Sequence, residues 1–172
     1  MENRRFVATK KLGFMEAVKN VLSNLTNFNG RARRSEYWWY VLATSVVSGI
    51  INMIFSSIPL VNIIISCVIS LSTVAVAARR VHDSGKNAIW VYIDCVFSII
   101  VLVYMYASGF YDALNVVNPN PNAIINIIAS PIFLVSSLIS FVTGIVVFIF
   151  CLFDSDPMEN KYGESPKYIS VE

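Results

Sequence analysis

Residues 37–58 read YWWYVLATSVVSGIINMIFSSI, and they contain no charged side chain. An uncharged apolar run of about 18 residues or more is long enough to cross a bilayer as a helix. The run opens with four aromatic residues, which is typical of the headgroup region, where tyrosine and tryptophan concentrate. The stretch therefore predicts a membrane-spanning helix that enters the bilayer at Tyr37.

Three more apolar stretches follow, and they predict further spans at about 60–78, 88–111 and 131–153. Pro59 is expected to end the first helix. The apolar run 123–153 would be about 46 Å long as one helix, which exceeds a hydrocarbon core of about 30 Å. We therefore expect Pro131 to kink or restart the chain, with residues 123–130 near the outer interface.

The composition agrees with a membrane protein, because 56% of the residues are hydrophobic and only 14% are charged. Soluble domains carry roughly 25% charged residues. Before the first span, residues 12–28 place apolar side chains at helical spacing with a polar face between them. The predicted fold class is an all-α integral membrane protein with four transmembrane helices and an N-terminal amphipathic helix. That helix either lies in the membrane interface or packs on its own protein's loops.

The thirteen Lys and Arg residues all fall in three segments: residues 1–36, residues 79–87 and the tail after Phe153. Cytoplasmic segments of membrane proteins collect Lys and Arg. The sequence thus predicts a multi-pass plasma-membrane protein with a cytoplasmic segment 1–36, a four-helix domain 37–153, a cytoplasmic tail 154–172 and both termini in the cytoplasm. A three-span alternative, with 123–153 on the surface, would misplace only Lys161 and Lys167.

Charged residues flank the hairpin that spans one and two would form, and the hairpin should bring them together. The candidate cytoplasmic cluster comprises Arg31, Arg33, Arg34, Glu36, Arg79, Arg80, His82, Asp83 and Lys86. Asp83 is spaced to pair with Arg79 or Arg80 on one exposed helical turn. In a structural interpretation, the two carboxylates neutralise some arginines and the surplus meets anionic lipid. In a functional one, the arginines and His82 hold a phosphate headgroup, a nucleotide or an acidic partner.

Asp94 is the one ionisable residue well inside a predicted span. A carboxylate at a helix centre costs about 2.5–3.5 kcal/mol, so it should face inward with a partner. Arg79, Arg80 and His82 are the expected partners, unless the carboxyl is protonated. In a functional interpretation, Asp94 belongs to a proton or cation relay.

No catalytic, cofactor or metal site is predicted. His82 is the only histidine, and no nucleophile with recognisable spacing accompanies it. The leading interpretation is a non-enzymatic structural or partner-binding membrane component with a basic cytoplasmic face. The alternatives are a small transporter or channel subunit that uses Asp94, and a binder of phosphate-bearing lipid headgroups or ligands through the Arg/His cluster.

The expected partners are the lipid bilayer and, at the cytoplasmic face, anionic lipids. Small residues four apart, such as Ser45 with Gly49 and Ser140 with Gly144, allow close helix contact. They fit a compact bundle, a homo-oligomer or a membrane-protein partner without choosing between them. No nucleic acid partner is expected.

Three polar stretches together carry a family resemblance. They are NFNGRARRSEYW at 27–38, RRVHDSGK at 79–86 followed by Trp90, and DSDPMENKYG at 154–163. In this order they resemble the signatures of domain-of-unknown-function family 805, small proteins of the bacterial inner membrane. The resemblance implies that location and brings no known activity, so it transfers no catalytic residues. It also implies that the three stretches form one assembled surface.

Overall fold

The computed structural model describes residues 5–55, 57–116 and 118–171. Residues 1–4 of the predicted N-terminal segment, residue 56 of the first span, residue 117 and residue 172 of the tail lie outside the described residues. The elements are β1 (Arg5–Ala8), α1 (Phe14–Leu22), α2 (Arg34–Ile54), α3 (Pro59–Asp83), α4 (Ile89–Ala107), α5 (Phe110–Asn115), α6 (Pro121–Ile128), α7 (Pro131–Leu152) and β2 (Tyr168–Val171).

Four helices, α2, α3, α4 and α7, are long and apolar enough to cross a membrane, which confirms the predicted fold class. They contain 21, 25, 19 and 22 residues, or roughly 28–38 Å each at about 1.5 Å per residue. Much of their apolar surface points outward, as Phe141 and Leu138 on α7 do with 67% and 63% exposure. Outward apolar faces of this kind suit contact with lipid chains.

The helix ends differ in detail from the sequence expectations. Pro59 begins α3 instead of ending α2, because proline is well suited to a first helical turn, where its missing N–H costs nothing. Helix α3 continues to Asp83, so Arg79 to Asp83 are helical and not a linker. Gly85 then turns the chain with φ +73°, a left-handed conformation that suits glycine just after a helix end.

The long apolar run after the polar loop is divided in two. Helix α6 ends at Ile128, and Pro131 starts α7, so Pro131 restarts the chain as expected. The Ser130 hydroxyl accepts a hydrogen bond from the Phe133 N–H at 3.3 Å and caps α7. Between α4 and α5, Gly109 adopts φ +72°, which breaks the predicted stretch 88–111 near its end.

Small residues set the helix packing. Ala75, Ala77 and Ala78 are buried in α3, which packs on α2, α4 and α7. A hydrogen bond between two hydroxyls joins α4 and α7, with Ser98 Oγ 2.7 Å from Ser140 Oγ. Gly144 lies beside Asp94, so the predicted small-residue pair Ser140 and Gly144 does face a neighbouring helix.

The amphipathic segment forms α1, which packs on α2 with Ala17 and Val21 fully buried. The packing partner is the helix α2, and not the loops named in one of the two sequence alternatives. The Phe14 and Trp39 rings meet edge to face at 5.6 Å between centroids. Strands β1 and β2, which the sequence did not predict, pair antiparallel from Arg5 opposite Val171 to Ala8 opposite Tyr168.

Candidate functional site

Asp83 is the centre of the polar end of the bundle, which we define as the assembled stretches 27–38, 79–86 and 154–163. Its Oδ1 accepts a hydrogen bond from Arg31 Nε at 2.9 Å. Its Oδ2 accepts from Arg80 and from the Ser155 hydroxyl. Each of the three stretches thus contributes a donor to one carboxylate, and the side chains of Asp83 and Arg80 are fully buried.

Arg31 ties this centre to the chain after α7. Its Nη1 donates to the Met158 carbonyl at 2.8 Å and to the Gly163 carbonyl at 3.2 Å, and its Nη2 donates to the Asp156 carbonyl. The Asp156 N–H returns a hydrogen bond to the Asp83 carbonyl at 3.0 Å. The guanidinium is therefore used within the protein and holds the segment 156–163 against α3.

Arg80 closes the end of α7. Its guanidinium donates to the carbonyls of Cys151 (3.2 Å), Ala32 (3.3 Å) and Phe153. The last carbonyls of a helix have no intrahelical partner and carry partial negative charge. The buried Arg80 guanidinium donates hydrogen bonds to these carbonyls, which in turn serve as acceptors for its N–H groups.

Arg79 pairs with Glu36 on α2 and not with Asp83, whose carboxylate already accepts hydrogen bonds from Arg31, Arg80 and Ser155. The Arg79 Nη2 to Glu36 Oε1 distance is 3.6 Å, and both side chains are about 95% buried. Neither of these two atoms has a hydrogen-bond partner among the described residues. The sequence predicted Arg80–Asp83 correctly, but it wrongly expected the ion pairs to be exposed.

His82 is buried against the tail. Its ring stacks on Tyr162 with a centroid distance of 3.6 Å and an interplanar angle of 9°. Its Nδ1 lies 3.3 Å from the Gly30 carbonyl, and its own carbonyl accepts from Asn160 Nδ2 at 3.1 Å. Both contacts with the tail fix the position of residues 160–162.

The other predicted members of the cluster lie elsewhere. Arg33 is buried, and its guanidinium donates to the carbonyls of Thr9 (3.0 Å) and Lys10 (2.6 Å). Arg34 is exposed and pairs with Asp154 at 2.8 Å. Lys86 is exposed and forms no ion pair among the described residues. The cluster is therefore not one pocket but a buried clamp, made of Arg31, Arg80, Asp83, Glu36 and Arg79, with outlying cations.

A groove that the sequence did not predict lies beside this clamp. Asp154 binds Lys167 Nζ at 2.6 Å as well as Arg34. Desolvation opposes the charge of Asp154, but hydrogen bonds from Lys167, Ser155 and Arg34 outweigh it and hold the pKa of that carboxyl below its usual range. Desolvation likewise opposes the charge of Lys167, and Asp154 overcomes it and raises the Lys167 pKa.

The groove is lined by basic and apolar side chains, and its cavity volume is about 640 Å³. Its basic residues are the buried Arg33 and three further cations, Lys11, Arg34 and Lys167, which we call the basic rim. Its apolar residues are Trp38, Trp39, Leu42 and Leu152. The Thr9 N–H donates to the Lys167 carbonyl at 2.8 Å beside the β1–β2 ladder, which brings Lys11 and Lys167 to the same place. The sequence could not reveal this rim, because the rim depends on the pairing of two strands that are too short to be recognised from their residue pattern.

Asp94 does not reach the polar end, so the expected pairing with Arg79, Arg80 or His82 is wrong. Its Oδ1 accepts hydrogen bonds from Ser140 and Thr143 of α7, each at 3.3 Å. Helix α4 packs chiefly on α7, whereas Arg79 pairs with Glu36 and Arg80 binds Asp83 and the C-terminal end of α7. Asp94 also lines a cavity of about 560 Å³ between α2, α3 and α4.

Within the described ranges, no group of three His, Cys, Asp or Glu residues is placed to hold a metal ion. The helices and the clamp together define an integral membrane protein whose polar stretches assemble at one end of a four-helix bundle. The chain belongs to the family of proteins of unknown function DUF805, whose family model matches residues 25–164.

Two relatives come from Escherichia coli strain K12. The chain is similar to the inner membrane protein YhaI, at 30% identity over 102 residues that cover 55% of this chain and 86% of the relative. It is also similar to the inner membrane protein YhaH, at 29% identity over 84 residues that cover 44% of this chain and 69% of the relative. No solved structure matches the chain. The chain is an integral protein of the inner membrane.

Proposed function

We propose that this protein is a non-enzymatic membrane component whose polar end faces the cytoplasm and binds an anionic phospholipid. The observation that supports this proposal is the groove with Lys11, Arg34 and Lys167 above Trp39 and Leu152. Arg34 and Lys167 share the single carboxylate of Asp154, and Lys11 forms no ion pair among the described residues, so the three cations keep an excess of positive charge that suits a phosphate headgroup. The apolar residues suit the upper part of an acyl chain.

The clamp supports a structural role for the remaining arginines. Arg31 and Arg80 donate to backbone carbonyls and to Asp83, so few of their donors remain for a ligand. We therefore assign headgroup binding, which the sequence placed in the Arg/His cluster, to the neighbouring groove. His82, stacked on Tyr162, is poorly placed to accept a substrate proton.

Lipid binding is tested by native mass spectrometry of the full chain in detergent, with phosphatidylglycerol or phosphatidylcholine added. We expect the protein to retain phosphatidylglycerol preferentially, and Lys11→Gln with Lys167→Gln to reduce that retention several-fold. Lys86→Gln with Lys161→Gln is the matched control, because both lysines are exposed and outside the groove. Equal loss in the two double variants, or no preference for the anionic lipid, would refute the proposal.

Orientation is tested separately with topology reporters. A green fluorescent protein fused after Glu172 should fluoresce, and alkaline phosphatase inserted at residues 118–120 should be active. The opposite pair of signals would place the polar end outside the cell.

A second candidate is a subunit of a small transporter, and the cavity beside Asp94 favours it. Uptake of a cation into proteoliposomes that is lost in Asp94→Asn would support this candidate. Uptake that is indifferent to the substitution would remove it.

A further inference from the structure

The cavity beside Asp94 is lined by hydroxyl groups of α2, α3 and α4, and it is partly open, with Ser45 and Ser70 exposed. Six serine and threonine side chains line it, namely Thr44, Ser45, Ser48, Ser70, Thr73 and Ser98. The rest of the wall is largely apolar and includes Val41, Ile69 and Val91. Polar side chains within a membrane bundle are expensive unless they serve a contact or a ligand.

Two of the six hydroxyls have already donated their proton to the backbone. Thr44 Oγ1 donates to the Tyr40 carbonyl at 3.0 Å, and Thr73 Oγ1 donates to the Ser70 carbonyl at 2.7 Å. A hydroxyl has one proton and two lone pairs, so an oxygen whose proton is already donated can still accept. These two positions therefore offer acceptor oxygens to whatever occupies the cavity.

Asp94 adds a carboxylate to this wall. Oδ1 accepts from Ser140 and Thr143, while Oδ2 accepts no hydrogen bond among the described residues. Asp94 forms no ion pair within the same ranges, and residues 88–153 contain no Lys, Arg or His. A carboxylate at this depth requires a cationic partner or a proton, because water does not compensate its charge.

We propose that the cavity binds a small organic ammonium compound, with the ammonium group on Asp94 and the apolar part against Val41, Ile69 and Val91. An ammonium group carries three donors, and the cavity wall offers the Asp94 carboxylate and the acceptor oxygens of Thr44 and Thr73. A metal ion fits less well, because it needs several oxygens closing on it within about 2.0–2.6 Å, whereas this cavity holds about 560 Å³. An anion is disfavoured as a ligand, because the Asp94 carboxylate would repel it.

The inference is independent of the lipid groove, and it deepens the transporter candidate by naming a substrate class. Each of these proposals can be refuted without refuting the others. Ammonium binding without uptake would keep the site and remove transport, and failure of the lipid experiment would leave the site untouched.

The test uses full-length protein in phosphatidylcholine nanodiscs, titrated with benzylammonium or with benzyl alcohol, a neutral molecule of similar shape. We expect saturable thermal stabilisation by benzylammonium, at least tenfold weaker binding of benzyl alcohol, and at least a tenfold loss of benzylammonium affinity in Asp94→Asn. The matched control is Asp112→Asn, which changes an exposed carboxylate outside the cavity and should bind as the wild type does.

A second variant covers the case in which Asp94→Asn is poorly folded. Thr73→Val keeps the side-chain shape and removes one acceptor, so it should weaken benzylammonium binding several-fold while leaving the unligated melting temperature nearly unchanged. The proposal is overturned by equal binding of the charged and neutral probes, by unchanged affinity in Asp94→Asn or in Thr73→Val, or by no binding at millimolar concentration.

Discussion

Arg31 Nε lies 2.9 Å from Asp83 Oδ1, although the two residues are 52 positions apart in the chain. The same carboxylate also binds Arg80, so one buried negative charge serves two buried guanidiniums. The remaining positive charge is met by backbone carbonyls, including those of Cys151 in the last turn of α7 and of Phe153 just after it. Asp83 is therefore the residue on which the stability of the polar end should depend most.

We expect Asp83→Asn to destabilise the protein by about 3–5 kcal/mol, because breaking a buried ion pair leaves an uncompensated charge. The measurement is chemical unfolding in mild detergent, followed by tryptophan fluorescence. Glu159→Gln is the control, since Glu159 is exposed and forms no ion pair among the described residues. Similar midpoints for the two variants would show that the clamp adds little.

The Glu36–Arg79 pair should behave differently from the Asp83 centre. Its closest described contact is 3.6 Å, and the two facing atoms lack hydrogen-bond partners. Removing one partner, as in Arg79→Met, should cost about 3–5 kcal/mol, whereas Glu36→Met with Arg79→Met should recover most of that loss. A double-mutant cycle of unfolding free energies measures the coupling. Additive losses would contradict the prediction.

Much of this fold could be predicted from residue patterns alone. The four membrane helices follow from uncharged length, and the restart at Pro131 follows from a run too long for one span. The spacing of Arg80 and Asp83 correctly indicated an ion pair. The partner of Arg79 could not be predicted, because its choice between Glu36 and Asp83 depends on how α3 is rotated against α2.

Long-range pairings account for most of what the sequence missed. Strands β1 and β2 have four residues each and lie at opposite ends of the chain, so neither gives a usable alternation. The groove depends on that pairing, and its basic rim therefore escaped prediction. The partners of Asp94 were mistaken because apolar helices show little in their sequence about which neighbour they will contact.

Acidification should weaken the contact between α2 and the tail. The folded-state pKa of Asp154 lies below its unfolded value of about 3.9. The ion pairs therefore add stability above that value, and this contribution is lost as the pH falls through the folded pKa. Because the carboxylate is 48% exposed, we expect less than about 1 kcal/mol.

The check is a comparison of unfolding midpoints for the wild type and Asp154→Asn between pH 3 and pH 8. The difference should be constant above about pH 5, since Asp154 is then ionised in both states, and it should shrink below about pH 4. A difference that stays constant down to pH 3 would contradict the assignment.

Helix α1 offers a comparison of two adjacent side chains. Val21 is fully buried against α2, whereas Leu22 is 54% exposed. Val21→Ala should cost roughly 1–3 kcal/mol, from lost apolar burial and the cavity left behind, and Leu22→Ala should cost less than about 0.5 kcal/mol. Unfolding free energies in detergent measure both. If α1 instead used its other face in lipid, the order of the two losses would reverse.

The contact between Arg80 and the Phe153 carbonyl has a consequence for biosynthesis. The two residues are 73 positions apart, so at about 5–20 residues per second Arg80 emerges roughly 4–15 s before its acceptor exists. During that interval Arg31 and Arg80 have Asp83 as a partner but lack the carbonyl acceptors at and after the end of α7. The polar end therefore closes late, and a nascent chain interrupted within α7 would present these incompletely bonded arginines to proteases and chaperones.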